Sequence, residues 1–290
     1  MPLTIRLGVS TWLWTSPFTT EDAAELFAKV KRMGFDKIEI AVEDPDLIDI
    51  QAVKRELVNN GLEAVLCGAF GSTRDLTSDD ESLRRTGLDY IARCLDMAAS
   101  LDTGFFAGPM YAAVGKARMV PAEQRKVEWQ RAVENLYSVC EMAADRKLQI
   151  ALEPLNRFES DLVNTVDDAL RMIHEIGHPA AGICLDMFHM NIEEPDPERA
   201  IRKAGDKLVH VQVAENYRGT PGSGNASWPA YYRGLEAIGY TGTVSIESFT
   251  PDNKELAGAV CIWRSLAESQ DAFASEGYEF LREWVTGKQA

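Results

Sequence analysis

Eight times along this chain a short run of β-branched and apolar residues gives way to a polar break, and most of these breaks lead into a helical pattern. The runs stand at 6–11, 37–42, 63–69, 103–109, 149–155, 182–187, 207–214 and 242–249, and the clearest amphipathic segments at 21–33, 49–60, 80–100, 122–146 and 165–176. Gly34, Gly61 and Gly177 stand where three of these helices should stop. "TSDDESL" and "TVDDA" supply capping oxygens and acidic groups at two helix starts. Eight such units in 290 residues predict an α/β fold, a single (β/α)8 barrel, in preference to a doubly wound sheet. No G-x-G-x-x-G follows the first strand, which removes the simplest dinucleotide-binding reading. With no Pro/Gly/Ser-rich linker near the midpoint, residues 1–290 read as one domain, ending in a helical segment at about 253–286.

Charge narrows the partners. The net charge of −15 disfavours nucleic acid and anionic membrane surfaces, both of which call for clustered Lys and Arg. No apolar run approaches the roughly 18 residues that span a bilayer, and the N-terminus shows no secretory pattern. Five scattered cysteines read as free thiols in a reducing compartment, so a cytoplasmic location is expected.

The last four strands carry the chemistry. Side chains alternate faces along a strand, so Ala151 goes with Glu153, Cys184 with Asp186, His210 with Gln212, and Ser245 with Glu247. In a barrel the strongly apolar face packs under the helices. Glu153, Asp186, Gln212 and Glu247 are therefore expected to point inward near the C-terminal strand ends, where the active sites of this fold lie. Three converging carboxylates repel one another, and a divalent cation would relieve that repulsion. Oxygen-rich ligation suits Mn²⁺, Mg²⁺ or Co²⁺ better than a structural zinc. The opposing reading is that each acid caps a helix or serves a surface partner, as single acidic residues at strand ends usually do.

"LEPLNRFE" (152–159), "LDMFHMN" (185–191), "VAENYRGTPGSG" (213–224) and "VSIESF" (244–249) together resemble the ketose 3-epimerases of the D-tagatose and D-psicose type. That family belongs to the xylose-isomerase-like TIM barrel superfamily. The resemblance covers nearly the whole chain in element order, with its specific motifs in the C-terminal half. It implies one divalent metal, held by Glu153, Asp186, the residue at 212 and Glu247, with Glu153 and Glu247 also serving as the acid/base pair. Substrate contacts carry over to Glu159, His189 and Arg218. Position 212 departs from the family pattern, which has histidine there. A glutamine carbonyl oxygen can still ligate a hard cation, so an all-oxygen set is expected, with His210 one step lower as a supporting residue.

The resulting expectation is a metal-dependent isomerase that epimerises free ketoses at C3 through a cis-enediolate. A small-molecule sugar is the expected partner, and a homodimer or homotetramer the expected assembly. Trp12, Trp14 and Phe70 fit an apolar wall or plain core packing, Glu39 is a candidate for the cavity wall, and 107–116 reads as a loop over the mouth. Glu215, past its strand end, reads as a supporting acid or an arginine partner. The competing readings are an aldose–ketose or hydroxypyruvate-type isomerase and a sugar-binding barrel without catalysis. A barrel endonuclease is disfavoured by four histidines and the negative charge.

Overall fold

The computed structural model describes residues 2–288. Eight parallel strands close into a barrel in sequence order: β1 (Arg6–Ser10), β2 (Lys37–Val42), β3 (Glu63–Gly68), β4 (Phe105–Gly108), β5 (Gln149–Leu152), β6 (Ala181–Asp186), β7 (Leu208–Val213) and β8 (Thr243–Ile246), with β8 pairing back to β1. The expected (β/α)8 barrel is present. Helices α1 (Ala23–Met33), α2 (Ile50–Asn60), α3 (Glu81–Ser100), α4 (Ala122–Asp145) and α5 (Val166–Ile176) follow the first five units. After them come α6 (Met187–Glu193), α7 (Pro197–Ala204), α8 (Trp228–Ala237), α9 (Lys254–Ala259) and α10 (Gln270–Trp284).

Local signals act as the sequence suggests. Thr165 and Asp168 form a capping box at the start of α5, and Asp80 accepts from Ser82 N–H at the start of α3. Gly61 (φ 60°) and Gly177 (φ 66°) close α2 and α5 in the left-handed region, where a side chain is strained. Seven of the eight strands stop short of the C-terminal ends of their apolar runs, β2 being the exception. β5 stops at Leu152 and β8 at Ile246, because beyond them the chain turns out over the barrel mouth.

Two apolar layers result. Ile150, Leu152, Ile183, Leu185, Val211, Val213, Val244 and Ile246 join the large core between sheet and helices. Inside the barrel a separate small cluster collects Ala41, Val65, Cys67, Phe105, Ala107, Ala151 and Cys184. Mostly small side chains fit there because the eight-stranded interior is narrow. All five cysteines are free thiols. Among the described residues, no helix is long and apolar enough to cross a membrane.

An ion-pair network braces the loops that rise from β3, β4 and β5. Lys116 Nζ reaches Asp75 at 2.7 Å, Arg118 grips both oxygens of Glu128 at 2.9 Å, and Arg118 and Arg125 share Asp161. Glu128, on α4, is only 2% exposed, so its charge depends on these partners. Substituting Glu128→Ala is expected to cost about 2–3 kcal/mol, the range for hydrogen bonds to charged groups. Urea denaturation checks it, and a loss under about 0.5 kcal/mol, the usual span for surface substitutions, would show the network to be idle.

Candidate active site

At the C-terminal end of the barrel lies a cavity of about 450 Å³, within the usual range for small-molecule sites. Glu153 and Glu247 are the first residues beyond β5 and β8, and both extend the strand ladder by one backbone bond. Glu153 N–H donates to Gly108 O (3.3 Å) and Glu247 N–H to Val213 O (3.0 Å). That continued register keeps both carboxylates turned inward on the cavity floor. Asp186 ends β6 and also caps α6, accepting from Phe188 N–H at 2.9 Å. Gln212 is the fifth residue of β7. All four expected residues thus converge, each 6% exposed or less.

The three sites carried over from motifs also gather here. His189, on α6, accepts from Asn156 N–H at Nδ1 (3.1 Å), which leaves Nε2 facing Glu153 (3.5 Å) and Asp186 (3.6 Å). Glu159 lines the cavity and accepts from Asn156 Nδ2 at 2.8 Å; its alternative partner Arg157 pairs instead with Glu193. Arg218 sits in the left-handed region (φ 64°), in a turn closed by its own N–H to Glu215 O (2.9 Å). Ser248 Oγ donates to the Arg218 carbonyl at 2.8 Å. The turn sends the guanidinium back into the barrel, between Phe188 and Phe249. There it binds Asp186 and lies 3.2 Å from Glu247.

Electrostatics sorts the carboxylates into two kinds. Burial, added to repulsion from Glu153, Asp186 and Glu39 and only partly offset by Arg218, pushes Glu247 well above the ordinary carboxylate value. Burial likewise raises Glu153 despite His189. Asp186 goes down: burial opposes ionisation, but Arg218, His189 and the Phe188 N–H outweigh it. Glu39 goes down too, with His210 and Gln212 outweighing burial.

Gln212 departs from the expected role. Its carbonyl oxygen accepts from Cys184 Sγ (3.2 Å), while its amide nitrogen donates to Glu39 Oε1 and Glu247 Oε1, both at 2.7 Å. The reverse orientation would set an oxygen against two carboxylates. As placed, Gln212 turns its amide nitrogen, and not its oxygen, toward Glu39 and Glu247. Two groups among the described residues have ligand atoms close enough for a metal: Glu153, Asp186 and His189, and separately Glu39, Cys67 and Glu247. Four buried carboxylates with one permanent cation among them, Arg218, make a donor set that suits a hard divalent ion.

Other expectations resolve individually. Trp12 and Phe70 line the cavity, as do Pro109, Val114 and Gly115 of the 107–116 loop. Trp14 faces away, bonded to Asp271. Glu39 lies beneath the cavity, bonded to His210. Glu215 is no arginine partner; it accepts from Gly222 N–H, Ala226 N–H and Trp228 Nε1 and so staples the loop that carries Arg218. Sequence reasoning missed Leu256, Ala259 and Val260 from α9 and its C-terminus, which form part of the apolar wall.

Known proteins share this fold. The profile of the xylose isomerase-like TIM barrel family matches residues 27–284. The chain belongs to that family. Within it, the chain is 35% identical to a probable ketose 3-epimerase of Synechocystis sp. over 96% of both chains. It is 30% identical to an L-ribulose 3-epimerase of Methylomonas sp., over 97% of this chain and 98% of that one. A crystal structure of D-allulose 3-epimerase from Methylomonas sp. in complex with D-allulose superposes with a TM-score of 0.90 at 30% identity, covering 97% and 98% of the two chains. D-Psicose 3-epimerase of Clostridium cellulolyticum H10, solved with D-tagatose, gives 0.87 at 27% identity, covering 97% and 99%. The protein is thus an isomerase of the ketose 3-epimerase group.

Proposed function

We propose that this protein is a metal-dependent epimerase that inverts C3 of free ketoses. The observation that carries the reading is the pair of buried glutamates, Glu153 and Glu247, that line one cavity. Two buried carboxyls facing one space suit an acid/base pair whose members exchange roles with the direction of reaction. One glutamate takes the C3 proton as a carboxylate, and the other, protonated, returns one to the opposite face. Their strands stand apart in the ring, with β6 and β7 between them, which supports action from two sides of one carbon.

Glu153, Asp186 and Glu247 would hold the ion, Mn²⁺ being preferred over Mg²⁺ or Co²⁺. A divalent cation there would polarise the C2 carbonyl and offset charge developing on the sugar oxygens. Arg218 and His189 offer N–H groups, and Glu159 an acceptor, for sugar hydroxyls. The walls made by Trp12, Phe70, Phe249 and Leu256 suit the C–H faces of a sugar. Among the described residues a phosphate finds no free partner: Arg218, already bound to two carboxylates, is the one Lys or Arg of them that lines the cavity, and Glu43, Glu159 and Glu255 are there too. That lining supports an unphosphorylated ketose as the substrate.

A panel of ketopentoses and ketohexoses, assayed with added Mn²⁺ and with chelator, tests the reading. C3 epimers are expected with metal and none with chelator. Aldose products would favour the aldose–ketose isomerase instead.

A further inference from the structure

We propose that Glu39 is a positioning residue that acts through Gln212 to hold the Glu247 carboxylate in one orientation; the inference rests on the catalytic role proposed for Glu247. Glu39 stands on β2 and does not line the cavity, yet it is fully buried in the barrel interior. Its Oε2 lies 2.6 Å from His210 Nε2, and the His210 ring packs 5.2 Å from the Phe105 ring. Its Oε1 takes one hydrogen of the Gln212 amide, whose other hydrogen goes to Glu247 Oε1.

A glutamine amide is nearly symmetric in shape, so its direction is set by partners. Here Glu39 sets it. Turning the amide over would forfeit both bonds to carboxylates and place like-charged oxygens together, in a site whose members are 0–3% exposed. An unmade hydrogen bond to a buried group costs about 1–3 kcal/mol, more when it is charged. Glu247 is therefore pinned at Oε1, leaving Oε2 toward Arg218. An amide nitrogen carries two hydrogens, one for each carboxylate. The glutamine at 212 is what lets a single nitrogen tie Glu39 to Glu247. A buried acid–histidine pair is also a poor device for stability alone, because apolar packing of the same volume often serves as well or better.

Misplacing a reacting group by about 1 Å can cost on the order of 100-fold in rate. For Glu39→Gln, kcat is expected to fall by about 10- to 100-fold on that scale, with KM changed by less than about threefold. Because the effect runs through Gln212, Glu39→Gln and Gln212→Met together should lose no more than the worse of the two alone. Losses that multiply would overturn the proposal. In wild-type protein with ¹⁵N-labelled glutamine, the Gln212 side-chain amide protons should exchange slowly with solvent. Fast exchange there would overturn the proposal even if Glu39→Gln fails to fold. If the wild type epimerises no ketose, the proposed function falls, while the amide exchange still judges the orientation of Gln212.

Discussion

Glu247→Gln is expected to lower kcat by between about 100- and 10,000-fold, the range for removing a general acid/base group, while the fold survives. The amide keeps an oxygen for the Gln212 N–H and removes a charge that Glu153, Asp186 and Glu39 all oppose. In metal-stripped protein the substitution should also change the pH dependence of stability. A carboxyl raised on folding from its ordinary 4.5 contributes stability that is complete below pH 4.5 and lost as pH rises through the elevated folded value. The variant lacks that loss, so its melting temperature in chelator should decline less above pH 4.5 than that of wild type. Steady-state kinetics and thermal melts check the two halves. Turnover within tenfold of wild type would remove Glu247 from the acid/base pair.

Asp186→Asn is expected to weaken Mn²⁺ binding by more than about 100-fold, since changing residues that merely support metal ligands already costs 10–100-fold. Asp186 is held below the ordinary carboxylate value despite burial, and the asparagine oxygen can still accept from Phe188 N–H to start α6. Titrating stripped protein while following free Mn²⁺ by electron paramagnetic resonance reads the affinity without reference to turnover. Unchanged affinity would place the ion elsewhere, with Glu39, Cys67 and Glu247 the next candidates.

Much of this was legible in the chain before any coordinates. The strict alternation of strands makes Glu153, Asp186, Gln212 and Glu247 share the inner face, and the barrel's polarity puts that face at the mouth. Alternation says which way a side chain points but not what it meets across the barrel. Glu39 and Gln212 lie 173 residues apart, and only closure of the sheet brings them together. Whether the amide oxygen or nitrogen of Gln212 faces the carboxylates depends on that pairing, which residue type alone does not reveal. The apolar wall from α9 escaped notice for a different reason. Six residues are too few to show a helical period, and their burial depends on the loop that follows β8.

Inversion at C3 by two opposed carboxyls is the claim on which the rest stands, and solvent isotope incorporation tests it most directly. A ketose converted by the Mn²⁺-loaded protein in D₂O should yield its C3 epimer carrying deuterium at C3 and nowhere else, as read by NMR. Deuterium at C1 with aldose formation, or an epimer that keeps the original hydrogen at C3 and carries its label at C4, would contradict it.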